Sequence, residues 1–265
     1  MNRYDLKNKA KAVLGKNYWI SLAVSAIVMA VSQLVPQFTY RINLFNKQTD
    51  IMEIVSSPEK IAMLSGGVVV LVFCMLLLNL AIGIFLFSPL NVGKNRFYIK
   101  SALGESDIKN LIDIFKSENY MNVVKTIFMR DLRITLWSLF YVVPIAILTV
   151  LSFVAEEFIY FIPLCLFGMI PFVMKYYSYF MTDYIIAENP EMNWKECLEK
   201  STKMMKSIRF KTFVLKLSFI GWMLLGIMLC GIGTFFVRPY IEATIAQLYL
   251  ERKNVISSEN FYFEE

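Results

Sequence analysis

The chain has no histidine among its 265 residues. That absence removes the commonest general base and the commonest metal ligand, and leaves its serines without the partner that usually activates them. Cysteine is sparse, with Cys74, Cys165, Cys197 and Cys230 only. No two form a CxxC pair and three lie in apolar runs, so they read as small apolar residues rather than disulfide or metal ligands. Charge is scarce as well: Asp, Glu, Lys and Arg make up 18% of the chain, against roughly a quarter in soluble domains. P-loop, dinucleotide-binding and HExxH motifs are missing. These gaps disfavour ATP-driven or metal-dependent chemistry by this chain alone. No catalytic residue, metal site or cofactor is expected.

What is present is apolar sequence in long runs. Hydrophobic residues are 57% of the chain and cluster into uncharged stretches long enough to cross a bilayer. The fold class expected is all-α, a polytopic helical membrane protein. The net charge of +6 does not suggest nucleic acid. Its basic residues flank apolar runs, where they set topology and attract anionic lipid headgroups.

Six spans are expected, at about 18–36, 66–90, 134–155, 158–182, 213–230 and 234–250, within one integral-membrane domain covering 1–255. Residues 256–265 form a short acidic tail. The basic segments 1–17, 91–133 and 183–212 then fall on one side, which places both termini in the cytoplasm. The alternative of a cleaved signal peptide at the N-terminus leaves an odd number of spans and puts those segments outside. The spans pair as three hairpins, with Glu156-Glu157 separating spans 3 and 4, and Gly231-Ile232-Gly233 separating spans 5 and 6. The loop 37–60 has no positive bias and belongs outside. A weak repeat supports the hairpins. Pro89-Leu90, Pro171-Phe172 and Pro239-Tyr240 each precede aromatic residues in the second helix of a pair. Chance recurrence in an aromatic-rich chain is the rival reading.

Amphipathic helices are expected on the cytoplasmic side. Residues 1–17 place Leu6, Ala10, Val13 and Leu14 on one face ringed by lysines, as an interfacial helix stopping near Gly15 or as a solvated leader. Ser106 is a candidate cap for a helix bearing Ile108, Leu111, Ile112 and Phe115, and Val123, Val124, Ile127 and Phe128 lead into span 3. The clearest pattern follows Pro190. Asn193 caps a helix whose Trp194, Cys197, Leu198, Ser201, Met205 and Ile208 share a face, with Glu199 and Lys203 paired on the other.

Five polar residues stand out within the spans. Arg238 and Glu242 are four apart, so they share a face and can pair. Charges inside spans are costly and often mark functional paths, so the pair is either a structural lock or a ligand path. Asn79 and Gln33 are secondary candidates as interhelical hydrogen-bond partners. Lys216 is expected to snorkel to the inner surface. Glu156-Glu157 resembles the paired glutamates of intramembrane CAAX-type proteases, but those enzymes also need histidine.

Leu217-Ser218-Phe219-Ile220-Gly221-Trp222, Gly231-Ile232-Gly233 and Pro239-Tyr240-Ile241-Glu242-Ala243-Thr244 together resemble the bacterial membrane family recorded as domain of unknown function 975. Ile186-Ala187-Glu188-Asn189-Pro190, Leu14-Gly15-Lys16-Asn17-Tyr18-Trp19 and Pro89-Leu90-Asn91-Val92-Gly93 are similar to its other motifs. Phe235-Phe236 departs from the family's Leu-Trp pair. The resemblance implies an integral protein of the bacterial cytoplasmic membrane, and it implies no activity or catalytic residues. The first expectation for function is a non-enzymatic membrane protein in envelope homeostasis, secretion support or self-protection. The alternative is a transporter or permease subunit with a polar site between spans 5 and 6, and a third is a membrane enzyme of lipid metabolism. Expected partners are the bilayer, anionic lipids of the cytoplasmic leaflet, and an unidentified membrane protein or a second copy of the chain, with no nucleic acid.

Overall fold

The computed structural model of the chain describes residues 2–41, 66–154, 161–228 and 231–263. The expected outer loop beyond Arg41, the Glu156-Glu157 turn, Cys230 and the side chains of Gln33 and Cys165 lie outside what is described. The described residues are helical, without strands. In chain order the helices are α1 (Arg3–Arg41), α2 (Gly66–Ile82), a π turn (Gly83–Phe87), α3 (Ser88–Ala102), a 3-10 turn (Ile108–Leu111) and α4 (Asp113–Lys116). There follow α5 (Tyr120–Val154), α6 (Phe161–Ser178), α7 (Thr182–Glu188), α8 (Trp194–Met205), α9 (Arg209–Leu217), α10 (Ile220–Met228) and α11 (Ile232–Phe263). Among the described residues four helical stretches are long and apolar enough to cross a membrane: Arg3–Ser32, Phe73–Ala102, Tyr120–Leu148 and Arg209–Met228.

Val24, Val28, Leu215 and Phe219 carry the core some way into those stretches. Most of it gathers where the amphipathic segments meet the ends of the long helices. Leu6, Ala10 and Leu14 of α1, Val92, Phe97 and Ile99 of α3, Ile185 and Ile186 of α7, and Met204 and Met205 of α8 are buried together with Ala246, Leu248 and Tyr249 of α11. Away from this end, Leu76, Leu80, Phe140, Val150, Leu224 and Ile227 expose their side chains, as apolar helices surrounded by lipid would.

Several local expectations are corrected here. Helix α1 does not stop at Gly15. It kinks at Asn17 (φ −134°, ψ 30°) and continues. The apolar face Leu6-Ala10-Leu14 is covered by protein, chiefly α11, and not by lipid. Ser106 caps nothing. Asp107 caps the 3-10 turn by accepting from Lys109 N–H, while the Ser106 hydroxyl bonds Ser101 at 2.9 Å and accepts from Asn17 at 2.6 Å. The backbone there tightens to three residues per turn, so the expected face is broken: Leu111 is buried but Ile108 and Ile112 are exposed.

The helix after Pro190 forms as its sequence dictates. Asn193 accepts from Lys195 N–H at 3.1 Å, and Cys197, Leu198, Ser201, Met205 and Ile208 are buried. The face packs on α5 and α7. Burial pushes the Cys197 thiol up to about 12, with Lys200 and Arg130 pulling the other way, so it is inert to thiol reagents at neutral pH. Trp194 is only half buried, with the Arg133 guanidinium 5.2 Å from its ring centre. Leu198→Ala is therefore expected to cost about 2–5 kcal/mol. Trp194→Ala should cost less, and thermal unfolding of the purified variants ranks the two.

One of the three repeated prolines has its consequence met by tyrosine. Pro89 has no N–H for the Phe85 carbonyl, and the chain answers with the π turn just before it. The freed Phe85 carbonyl accepts from the Tyr120 hydroxyl. Near Pro239 the Tyr18 hydroxyl donates to the Phe236 carbonyl of α11 at 3.2 Å, which ties α1 to α11. At the head of α11, Gly231 takes a positive φ of 78°. A side chain on Gly233 would stand 2.6 Å from the Gly226 Cα, so α10 and α11 touch backbone to backbone beside the turn.

Candidate functional site

Helix α3 runs through the centre of the buried end, against α1, α7 and α11. Pro89, Leu90, Val92, Gly93, Asn95, Phe97 and Tyr98 are all buried. Tyr98 ties it to α1. Its hydroxyl donates to the Ser21 carbonyl at 3.0 Å, which leaves Ser25 to donate to the Tyr98 oxygen at 2.7 Å. On another side of α3, Lys94 reaches α11. Its ammonium lies 2.6 Å from Glu242 Oε1, with the side chains 13% and 18% exposed.

This pair lines a cavity of about 310 Å³ that also receives Arg130, Asp183, Lys216 and Tyr184. Arg130 of α5 pairs with Asp183 of α7 and with its neighbour Asp131. Lys216 of α9 has no carboxylate partner among the described residues. Its ammonium rests over the Phe180 ring, 4.0 Å from the centroid, with Tyr177 and Tyr176 just beyond. Such cation–π contact holds a desolvated ammonium without neutralising it. Tyr184 is fully buried, and burial, reinforced by the Glu242 carboxylate, holds its hydroxyl well above the usual tyrosine range. It is a hydrogen-bond donor at any physiological pH.

A second cavity of about 230 Å³ lies further along α11 toward the Gly231 turn, lined by Arg238, Phe219 and Met223. Lys216, Ile241 and Glu242 line both cavities. The two spaces are stacked along one helix with these three side chains between them.

The pairing expected from spacing alone is corrected. Arg238 and Glu242 do face a common space, but the carboxylate is bonded to Lys94, and Arg238 forms no ion pair with it. An i,i+4 contact on a helix surface contributes only about 0.2–0.5 kcal/mol. A cation from a packed neighbouring helix meets the carboxylate in a drier place, where the attraction is larger. Lys216 turns inward to the aromatic cluster instead of reaching a surface. Asn79 donates to the Met75 carbonyl of its own helix at 2.9 Å and bridges no second helix among the described residues. Lys94, Arg130 and Asp183 were hidden in the sequence because they sit in segments that read as cytoplasmic, where charge is unremarkable. The one available signal was the position of Lys94 directly after Pro89-Leu90-Asn91-Val92-Gly93.

Among the described residues no group of three or more Cys, Asp or Glu side chains gathers as a metal site. The arrangement can hold charge and exchange hydrogen bonds.

The fold and site define an all-α protein with several apolar helices and a charged interior cavity at one end. The chain belongs to the family described as protein of unknown function DUF975, whose model matches residues 1–255. No curated protein and no solved structure matches it.

Proposed function

We propose that this is a non-enzymatic, six-span protein of the bacterial cytoplasmic membrane, with both termini in the cytoplasm, that binds and passes a small solute bearing a carboxylate or phosphate. The observation that carries the reading is the stacking of two polar cavities along α11 around Lys216, Ile241 and Glu242. A purely structural role in the envelope needs no interior space, and a lone lock between spans needs no further ammonium beside it, yet Lys216 lines both spaces without an ion pair among the described residues. The cavities contain four cations, Lys94, Arg130, Lys216 and Arg238, against three carboxylates, Asp131, Asp183 and Glu242. The excess cation favours an anionic group, and Glu242, held by Lys94 from the first space, stands between the two.

The test uses Ile241→Cys in a chain whose only other cysteine is the buried Cys197. An anionic thiosulfonate reagent should label position 241 faster than a cationic one, on the order of tenfold, because local potential concentrates the anion. Lys216→Met should abolish that preference. A position 241 that is inert from both sides of the membrane, or indifferent to reagent charge, would overturn the proposal.

A further inference from the structure

A third cavity lies on a different flank, between α1 and the α10–α11 pair. It has a volume of about 660 Å³, within the roughly 300–1,000 Å³ typical of ligand clefts. Its two ends differ in chemistry. At one end are Lys7 and Lys11, one helical turn apart on α1. At the other, beyond Gly15, are Trp222, Phe236 and Val237, which belong to the apolar helices. Trp222 and Phe236 are 56% and 48% exposed, so this end opens sideways onto the surface that would face lipid.

Both lysines lie over aromatic rings. Lys7 Nζ stands 4.5 Å from the centre of the buried Phe219 ring, and Lys11 Nζ 5.9 Å from that of Tyr240. Neither has a carboxylate partner among the described residues. Because Leu6, Ala10 and Leu14 commit the apolar face of α1 to the protein core, the helix does not float on a headgroup layer. It is anchored, and its lysines hang over a fixed groove. Gly15 is part of the wall, and a Cβ placed there would meet nothing within 4 Å. The missing side chain leaves the passage between the charged and apolar ends open.

We infer that this groove is a binding site for one anionic phospholipid, its phosphate between Lys7 and Lys11 and an acyl chain past Gly15 along Trp222 and Phe236. A free phosphate would use the lysines but has no need of the apolar end. A neutral hydrophobic molecule would use the apolar end but not the lysines. Only an amphipathic anion matches both, with its charge at the end where basic residues cluster. The inference rests on the membrane placement proposed above and is independent of the solute cavities, which share no residue with this groove.

The test is native mass spectrometry of the full-length protein, purified in mild detergent and titrated with phosphatidylglycerol or phosphatidylcholine of identical chains. One phosphatidylglycerol should be retained per protein at concentrations where phosphatidylcholine is retained at least about fivefold less. Lys7→Gln with Lys11→Gln should abolish the difference. Gly15→Leu, which fills the passage and removes no charge, should lower phosphatidylglycerol retention by a similar factor. Lys9→Gln with Lys16→Gln removes the same charge outside the groove and should leave retention unchanged. Melting temperatures are read on every variant, and Gly15→Leu and the lysine pairs act at separate places, so a folding defect in one leaves the other decisive. Equal retention of the two lipids overturns the inference. So does loss of retention in both lysine pairs alike, which would show unspecific attraction to the basic helix. Full retention by Gly15→Leu would show that only the phosphate is held, and would overturn the lipid assignment.

Discussion

Glu242→Leu is expected to destabilise the protein by about 3–5 kcal/mol, because it strands the Lys94 ammonium in a largely buried place. Lys94→Leu should cost a similar amount by stranding the carboxylate. The double variant should recover most of either loss, since no orphan charge remains and two leucines fill the space. Arg238→Leu combined with Glu242→Leu should show no such recovery, because Arg238 is not the partner of the carboxylate. Thermal unfolding of the parent, the three single variants including Arg238→Leu, and the two doubles in detergent gives the coupling directly. Recovery with Arg238 and not with Lys94 would restore the pairing that spacing alone suggests. The same double variant bears on function. If the Lys94–Glu242 pair gates the cavities, stability should return while the charge preference of labelling at position 241 changes. A stable double variant that labels like the parent would reduce the pair to a structural lock.

Gly93→Ala is expected to be the most damaging glycine-to-alanine change among the described residues. A Cβ at this position would stand 2.1 Å from the Leu111 carbonyl oxygen and 3.0 Å from its carbon. Both obstacles are backbone, so no side-chain rotation relieves them. Overpacking of a core costs typically about 1–3 kcal/mol, occasionally more, and a clash with backbone belongs at the upper end. Part of that loss should appear at the site. Gly93 immediately precedes Lys94, so moving α3 away from the 3-10 turn moves the ammonium relative to Glu242. Gly221→Ala is the control. It lies in α10 with nothing within 4 Å of the added carbon, and should be stabilising by about 0.5–1 kcal/mol through backbone entropy alone. Melting temperatures of the two variants should move in opposite directions. A neutral Gly93→Ala would mean that the Leu111 turn does not pack against α3 as described.

The sequence by itself determined the elements whose cause is local. Long uncharged runs can satisfy their backbone only as helices in an apolar medium. Asn193 caps its helix, and Gly231 turns the chain between α10 and α11, because each acts within a few residues of itself. The buried face of α8 followed from periodicity, and so did that of the first turns of α1. Periodicity names an apolar face without naming what covers it, and for α1 the cover proved to be α11 where lipid was expected. The candidate site was legible only in part. Glu242 and Lys216 stood out because charge within apolar sequence is expensive. Lys94, Arg130 and Asp183 did not, since charge in a segment that reads as cytoplasmic costs nothing visible. Tertiary structure alone decided that Glu242 binds Lys94, 148 residues away in sequence. A carboxylate in a dry cavity takes the cation that packing delivers to it, and helix spacing records only the neighbours on its own helix.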